Sequence, residues 1–196
     1  MGRVNDEPVT SGPWTRRSRR VAYENPWITV FHDEVTRPDG ASGVYGVVHP
    51  AASACGIVVL DEHDRTLLVG QHRYTLDEYS WEIPEGGVDA ADPLAGAQRE
   101  LREETGVAAA QWHELGRFTL SNSVSDERGV MYLATGITFG TAEPEGTEVL
   151  EVRWVPFADA LGMVLDGRIT DAISIMGIQR VALARLAAAS AGGQQP

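Results

Sequence analysis

A single cysteine, Cys55, among 196 residues excludes an intramolecular disulfide. It lies inside the apolar run ACGIVVL, which reads as a buried, inert thiol and fits a reducing, cytoplasmic setting. Positive charge is scarce as well: 16 Lys and Arg stand against 28 Asp and Glu, for a net charge of −12. That balance argues against broad nucleic-acid or anionic-membrane binding, because phosphate is repelled wherever no local basic patch exists. The only Arg-dense run, Arg16 to Arg20, is short and reads as solvating a terminus. No stretch reaches the roughly 18 apolar residues a membrane-spanning helix needs. The first twenty residues contain no apolar signal core. His32, His49, His63, His72 and His113 lack His-x-x-x-His spacing, which argues against a zinc site or a Cys-His nucleophile. GxxxxGK and GxSxG motifs are both missing, so neither a P-loop nor a serine-hydrolase elbow is present.

What is there suffices for one domain with a substantial core: 43% of the residues are apolar. WITVFHDEVT and SGVYGVVHP flank the turn RPDGA and read as a hairpin. ACGIVVLDE and RTLLVGQHRY flank a second turn at EHD. QWHELGRFTL, GVMYLATGI and EVLEVRWVPF are further strand candidates, and helical stretches follow near 157–165 and 170–189. Residues 1–20 and the tail 187–196 lose periodicity and read as mobile ends. Strands and helices together make an α+β chain with a mainly mixed sheet.

One helix stands out. It starts near ADPL, with Asp92 as N-cap and Pro93 at the first helical position, and it ends where Gly106 can take a left-handed cap. Its last turns hold RELREETGV, with Glu100, Glu103 and Glu104 within an arc of roughly 100°. Leu94, Ala97, Leu101 and Thr105 fill an adjacent arc that faces a core. Like charges at these spacings repel by a few tenths of a kcal/mol per pair. On spacing alone such a cluster is a solvated face or a metal site. The preceding WEIPEGGVDA favours metal, because Gly86 and Gly87 permit a close backbone approach that lets main-chain carbonyls join the carboxylates. Carboxylate and carbonyl oxygens suit Mg²⁺ or Mn²⁺. Beside them, the planar fork of Arg99 can hold a glutamate in a fixed rotamer, as an alternative to an ordinary surface arginine.

The stretch from Gly86 to Val107, GGVDAADPLAGAQRELREETGV, resembles the Nudix box of pyrophosphohydrolases. RELREETGV matches completely. The box places a glutamate six positions after its glycine and seven residues before this segment. Here Asp92 stands in that place and only six residues separate it from Arg99, so the loop is one residue short. Outside the box, ENPWITVFHDEV, VGQHRY, WEIPEGG, SDERGVMYLATG, EVLEVRWVPFADAL and GRITDAISI are similar to the ADP-ribose pyrophosphatase branch, which shares its outline with hydrolases of other nucleoside-diphosphate sugars.

The resemblance implies an α/β/α sandwich with a mixed central sheet and an N-terminal antiparallel β extension that contributes to a homodimer. Residues 21–50 would be that extension and 51–186 the hydrolase domain. It implies a metal-dependent hydrolase of a small nucleoside diphosphate substrate, with metal on Glu100, Glu103, Glu104 and the main-chain carbonyl of Glu85, whose PEG replaces the branch's usual PAG. Arg73, in Q-x-R, would bind phosphate. A loop glutamate after the box would be the general base, with Glu148 first and Glu145 second. Glu127 would lie near the site. Glu82 reads either as an exposed strand residue or as a substrate contact. Trp27 reads as a core anchor, with base stacking from the partner subunit as the alternative. Rival readings are a non-catalytic nucleotide-sugar-binding module and a Nudix hydrolase for another substrate.

Overall fold

The computed structural model describes residues 3–5, 7–141 and 149–192, which form two compact units. The first comprises residues 1–53 and 119–128, the second 54–118 and 129–196.

The first unit is a sheet. Its strands are β1 (Arg3–Asn5), β2 (Val9–Ser11), β3 (Trp14–Glu24), β4 (Ile28–Thr36) and β5 (Ser42–Pro50). They pair antiparallel in the order β1-β3-β4-β5, with β2 also on β3. The expected hairpin is β4 and β5, in register from Ile28 opposite Pro50 to Thr36 opposite Ser42. Its turn is closed by Asp39, whose Oδ1 accepts the Ala41 N–H at 3.0 Å. β3 carries order into residues 14–20, a segment whose polar composition reads as a mobile end. Backbone pairing, which composition does not register, holds it. The Arg16 to Arg20 run lies on this strand. Arg19 grips Asp33 with two 2.7 Å hydrogen bonds and stacks over Phe31 at 4.3 Å, so it is built into the sheet and does not solvate a terminus. Trp27 is no core anchor: it is 74% exposed, in a turn where Asn25 Oδ1 accepts the N–H groups of Trp27 and Ile28. Residues 119–128 return to β5, where the Val48 N–H donates to Val124 O at 2.8 Å.

The second unit holds β6 (Ser53–Val59), β7 (Arg65–Arg73), β8 (Glu78–Glu82), β9 (Glu85–Val88), α1 (Pro93–Thr105), β10 (Val107–Thr119), β11 (Arg128–Phe139), β12 (Glu151–Pro156), α2 (Phe157–Leu165) and α3 (Ala172–Gly192). β6 and β7 flank the expected turn, where the Asp61 carboxylate accepts from His63 N, Arg65 N and the Arg65 guanidinium. Beyond one bridge, Leu60 to Thr66, they part into different sheets. β6 joins β10-β11-β6-β9 and β7 joins β12-β7-β8. β6 runs parallel to β11, while β7 is antiparallel to both its neighbours, so strand directions are mixed as expected. Residues 55–60 and 66–70 are buried without alternation, because both faces of each strand are covered.

α1 seats Ala97 and Leu101, both fully buried, in a cluster with Ile57, Leu67, Val88 and Val130. Burying a leucine of this kind contributes about 1.5–3 kcal/mol. α3 continues through Gly192, so residues 187–192 extend a helix and do not belong to a tail. It is also long and apolar enough to cross a membrane by length and composition. Its first half is core instead: Ile173, Ser174, Ile178 and Val181 are buried in the second unit.

Candidate active site

Local sequence delivers α1 as read. Asp92 Oδ1 accepts the Ala95 N–H at 3.1 Å, and Gly106 adopts a left-handed φ of 70° with its N–H on Arg102 O. The residue standing in the place of the box's first glutamate therefore caps the helix, and the shortened loop still starts it correctly. Ala97, Leu101 and Glu104 face inward, Glu104 only 5% exposed. Arg99 spans the outer carboxylates: Nη2 donates to Glu100 Oε1 and Nη1 to Glu103 Oε2, each at 2.6 Å, and Nη2 also reaches Gly87 O at 3.1 Å. A planar fork bonded in this way restricts the rotamers of both carboxylates. At Gly86 a Cβ would stand 2.5 Å from Glu100 Cδ, so only glycine lets the Glu100 carboxylate lie against the backbone of β9.

A second cluster adjoins the first through Glu85. Glu82 is 2% exposed, which removes the exposed-strand reading. Its carboxylate accepts from Arg73 Nε at 2.9 Å, from Arg73 Nη2 through a very short contact, and from Gln71 Nε2 at 3.5 Å. Arg73 Nη2 also donates to Glu85 Oε1 at 2.9 Å. The Glu82 hydrogen bond holds the Arg73 guanidinium more firmly charged than usual. Its Nη1 makes no hydrogen bond among the described residues. Burial pushes the Glu85 carboxyl well above the ordinary carboxylate range, helped by the charges of Asp171 and Glu82 and opposed by Arg73. Glu85 Oε2 is buried without a donor, and the adjacent Asp171 carboxylate can satisfy it only through a shared proton.

Cys55 is fully buried. Burial pushes its thiol up to about 12; the Gly86 N–H opposes this, and the charges of Glu100, Glu104 and Glu85 add to it. The thiol stays protonated and inert.

The donor set fits a hard divalent cation. All candidate donors are carboxylate or carbonyl oxygens, and the Gly86 cradle brings Glu100 to the Glu85–Gly86 backbone. Among the described residues no three acidic, His or Cys side chains are drawn together as a ready-made cage, since Arg99 holds two of the carboxylates. Mg²⁺ does not require one, because it keeps water and substrate phosphate in its shell.

Glu145 and Glu148 lie outside the described residues. Glu151, just after them, is exposed and bonded to Tyr79 and Arg153. Glu127 and Trp27 belong to the first unit. Burial raises the Glu127 carboxyl above its usual range, and its N–H donates to Ser125 Oγ at 3.1 Å. Sequence reasoning assigned no role to Gln71, Asp171 or Ser174. For Asp171 a signal existed, an aspartate directly before the apolar run AISIMGI, which is an N-cap pattern; Ser174 carried none.

A NUDIX domain model matches residues 50–174, and a nucleoside diphosphate sugar hydrolase N-terminal domain model matches residues 14–48. The chain is 36% identical over 153 residues to an ADP-ribose pyrophosphatase of Mycobacterium tuberculosis, covering 76% of this chain and 73% of that protein. It is 32% identical over 169 residues to a CMP-5'-(N-acetyl-N-hydroxy-3-aminopropyl)phosphonate hydrolase of Streptomyces rubellomurinus, covering 86% and 82%. A solved ADP compounds hydrolase shares the fold, with a TM-score of 0.75 at 19% identity over 84% of this chain and 89% of that one.

Proposed function

The chain belongs to the Nudix family, and from that premise we propose that it cleaves the diphosphate linkage of ADP-ribose or a related nucleoside-diphosphate sugar, releasing a nucleoside monophosphate and a sugar phosphate. As a member it is a pyrophosphohydrolase acting on nucleoside-diphosphate derivatives, in a family that uses divalent cations. The observation that carries the reading is a helix bearing Glu100, Glu103 and Glu104, with Glu100 seated on Gly86 of β9. The N-terminal domain match and the mycobacterial relative support the nucleoside-diphosphate sugar as substrate.

A divalent cation, Mg²⁺ or Mn²⁺, when bound here supplies the charge that lets water approach a diphosphate and lowers that water's pKa. Glu100, Glu103, Glu104 and the Glu85 carbonyl are the residues to hold it. Arg99 keeps Glu100 and Glu103 in fixed rotamers, and Arg73 braces Glu82 and Glu85 while its Nη1 remains for a substrate phosphate. The general base is Glu148, with Glu145 as the alternative, because the helix glutamates would be occupied as ligands. The partner subunit's Trp27 stacks on the substrate's base. The protein acts as a homodimer: Tyr23, Trp27 and Val44, 56%, 74% and 59% exposed, give the first unit the apolar surface a second copy would cover.

The test is hydrolysis of ADP-ribose with Mg²⁺, products separated by chromatography. AMP and ribose 5-phosphate are expected, with activity abolished by excess chelator and restored by Mg²⁺ or Mn²⁺. Turnover in excess chelator would overturn the metal assignment. A second substrate reading rests on the Streptomyces relative, which covers more of the chain. If ADP-ribose is inert and a CMP-linked phosphonate is cleaved, the reaction class stands and the sugar assignment falls.

A further inference from the structure

The segment from Ile83 to Glu85 is held at each residue by other elements of the second unit. The Ile83 N–H donates to Ser174 Oγ at 2.9 Å, on α3. Pro84 O accepts the Ile57 N–H at 2.9 Å, from β6. The Glu85 side chain is held by Arg73 at 2.9 Å and lies against Asp171. Gly86, next in the chain, carries the Glu100 carboxylate against its Cα.

Two of these grips come from the first turn of one helix. Asp171 stands just before α3, and its Oδ2 accepts the Ser174 N–H at 2.7 Å, which is N-cap geometry. Ser174, fully buried, donates its backbone N–H to that cap and accepts the Ile83 N–H on its hydroxyl oxygen. We propose that Asp171 and Ser174 are positioning residues: through Ile83 and Glu85 they fix the β8–β9 bend, and with it the aim of the Glu85 carbonyl toward the helix glutamates. This rests on the reading of that carbonyl as a metal ligand. Groups that orient a ligand without touching the cation typically change affinity by about 10–100-fold when removed. Neither residue touches substrate in this scheme, so neither is catalytic.

The experiment measures Mn²⁺ affinity of the full chain by electron paramagnetic resonance, without substrate, alongside urea unfolding. Asp171→Ala and Ser174→Ala are expected to weaken Mn²⁺ binding about tenfold. Asp171→Asn keeps both a cap acceptor and a hydrogen-bonding amide for Glu85, and should bind Mn²⁺ like wild type. Ile178→Val, a core change elsewhere in the same helix, controls for lost stability and should also leave Mn²⁺ affinity unchanged. Asp171 is only partly buried, so Asp171→Ala keeps the test alive if Ser174→Ala does not fold. If wild type binds Mn²⁺ and Glu104→Gln weakens it, but Asp171→Ala and Ser174→Ala shift affinity no more than Ile178→Val, this inference is overturned and the metal reading survives. Wild type that binds no Mn²⁺ overturns both.

Discussion

Arg99 and Arg73 each grip two glutamates, the first along a single helix and the second across three strands. The chemistry is the same planar fork on carboxylates, and with no lysine in the chain every such pair is built on arginine. Burial separates them. Around Arg99 the carboxylates of Glu100 and Glu103 are 15% and 31% exposed; around Arg73 those of Glu82 and Glu85 are 3% and 12% exposed. Exposed pairs contribute about 0–1 kcal/mol, whereas removing one partner of a buried pair costs about 3–5 kcal/mol, because the survivor is left charged and dry. The helix cluster can therefore hand its carboxylates to a cation at little cost. The strand cluster cannot, and serves as the frame against which the first is aligned.

The largest expected effect breaks the comparison if it fails. Glu100→Gln should lower turnover roughly a hundredfold or more while leaving stability unchanged or slightly raised, since like-charge repulsion on α1 is relieved. Steady-state hydrolysis and urea unfolding of the same preparation check both halves. A comparable loss of stability would mean that the helix cluster is also a frame.

Stability sharpens the contrast next. Arg73→Ala should cost about 3 kcal/mol or more, because Glu82 would stay buried without its cation. Arg99→Ala should cost less than about 1 kcal/mol. Urea midpoints at neutral pH, measured in chelator, decide this; equal losses would erase the distinction.

The smallest effect is a slope. Glu85 binds its proton above the ordinary carboxylate range in the fold, so over that window the folded chain holds more protons than the unfolded chain and stability falls as pH rises. Glu85→Gln cannot ionise. Its stability relative to wild type should therefore grow with pH from the ordinary carboxylate value upward, by at most about 1.4 kcal/mol per pH unit. Unfolding in chelator from pH 5 to pH 8 measures it, and a flat difference would mean that Glu85 is charged throughout.

Legibility follows the same division. The Arg99 cluster was readable because a helix converts spacing of one, three and four residues directly into neighbours, and because Asp92, Pro93 and Gly106 mark the helix ends locally. The Arg73 cluster joins residues 9, 12 and roughly a hundred positions apart. Its members could be named one at a time from a family likeness, yet their mutual bonds, and Asp171 altogether, depended on how three strands and α3 meet. Trp27 failed for the opposite reason: a large aromatic after proline suggests a core, but the Asn25 turn holds its backbone at the surface.

By itself the chain determined the ends of α1, the β4–β5 hairpin and the crowding of Glu100, Glu103 and Glu104, all of which depend on contacts within a few residues. Tertiary structure alone decided that residues 14–20 pair as a strand, that β6 and β7 part into separate sheets, and that Glu82 and Glu85 are buried on one arginine. Burial and long-range pairing depend on which surfaces meet after the chain has closed, and a local pattern of residues carries no record of that.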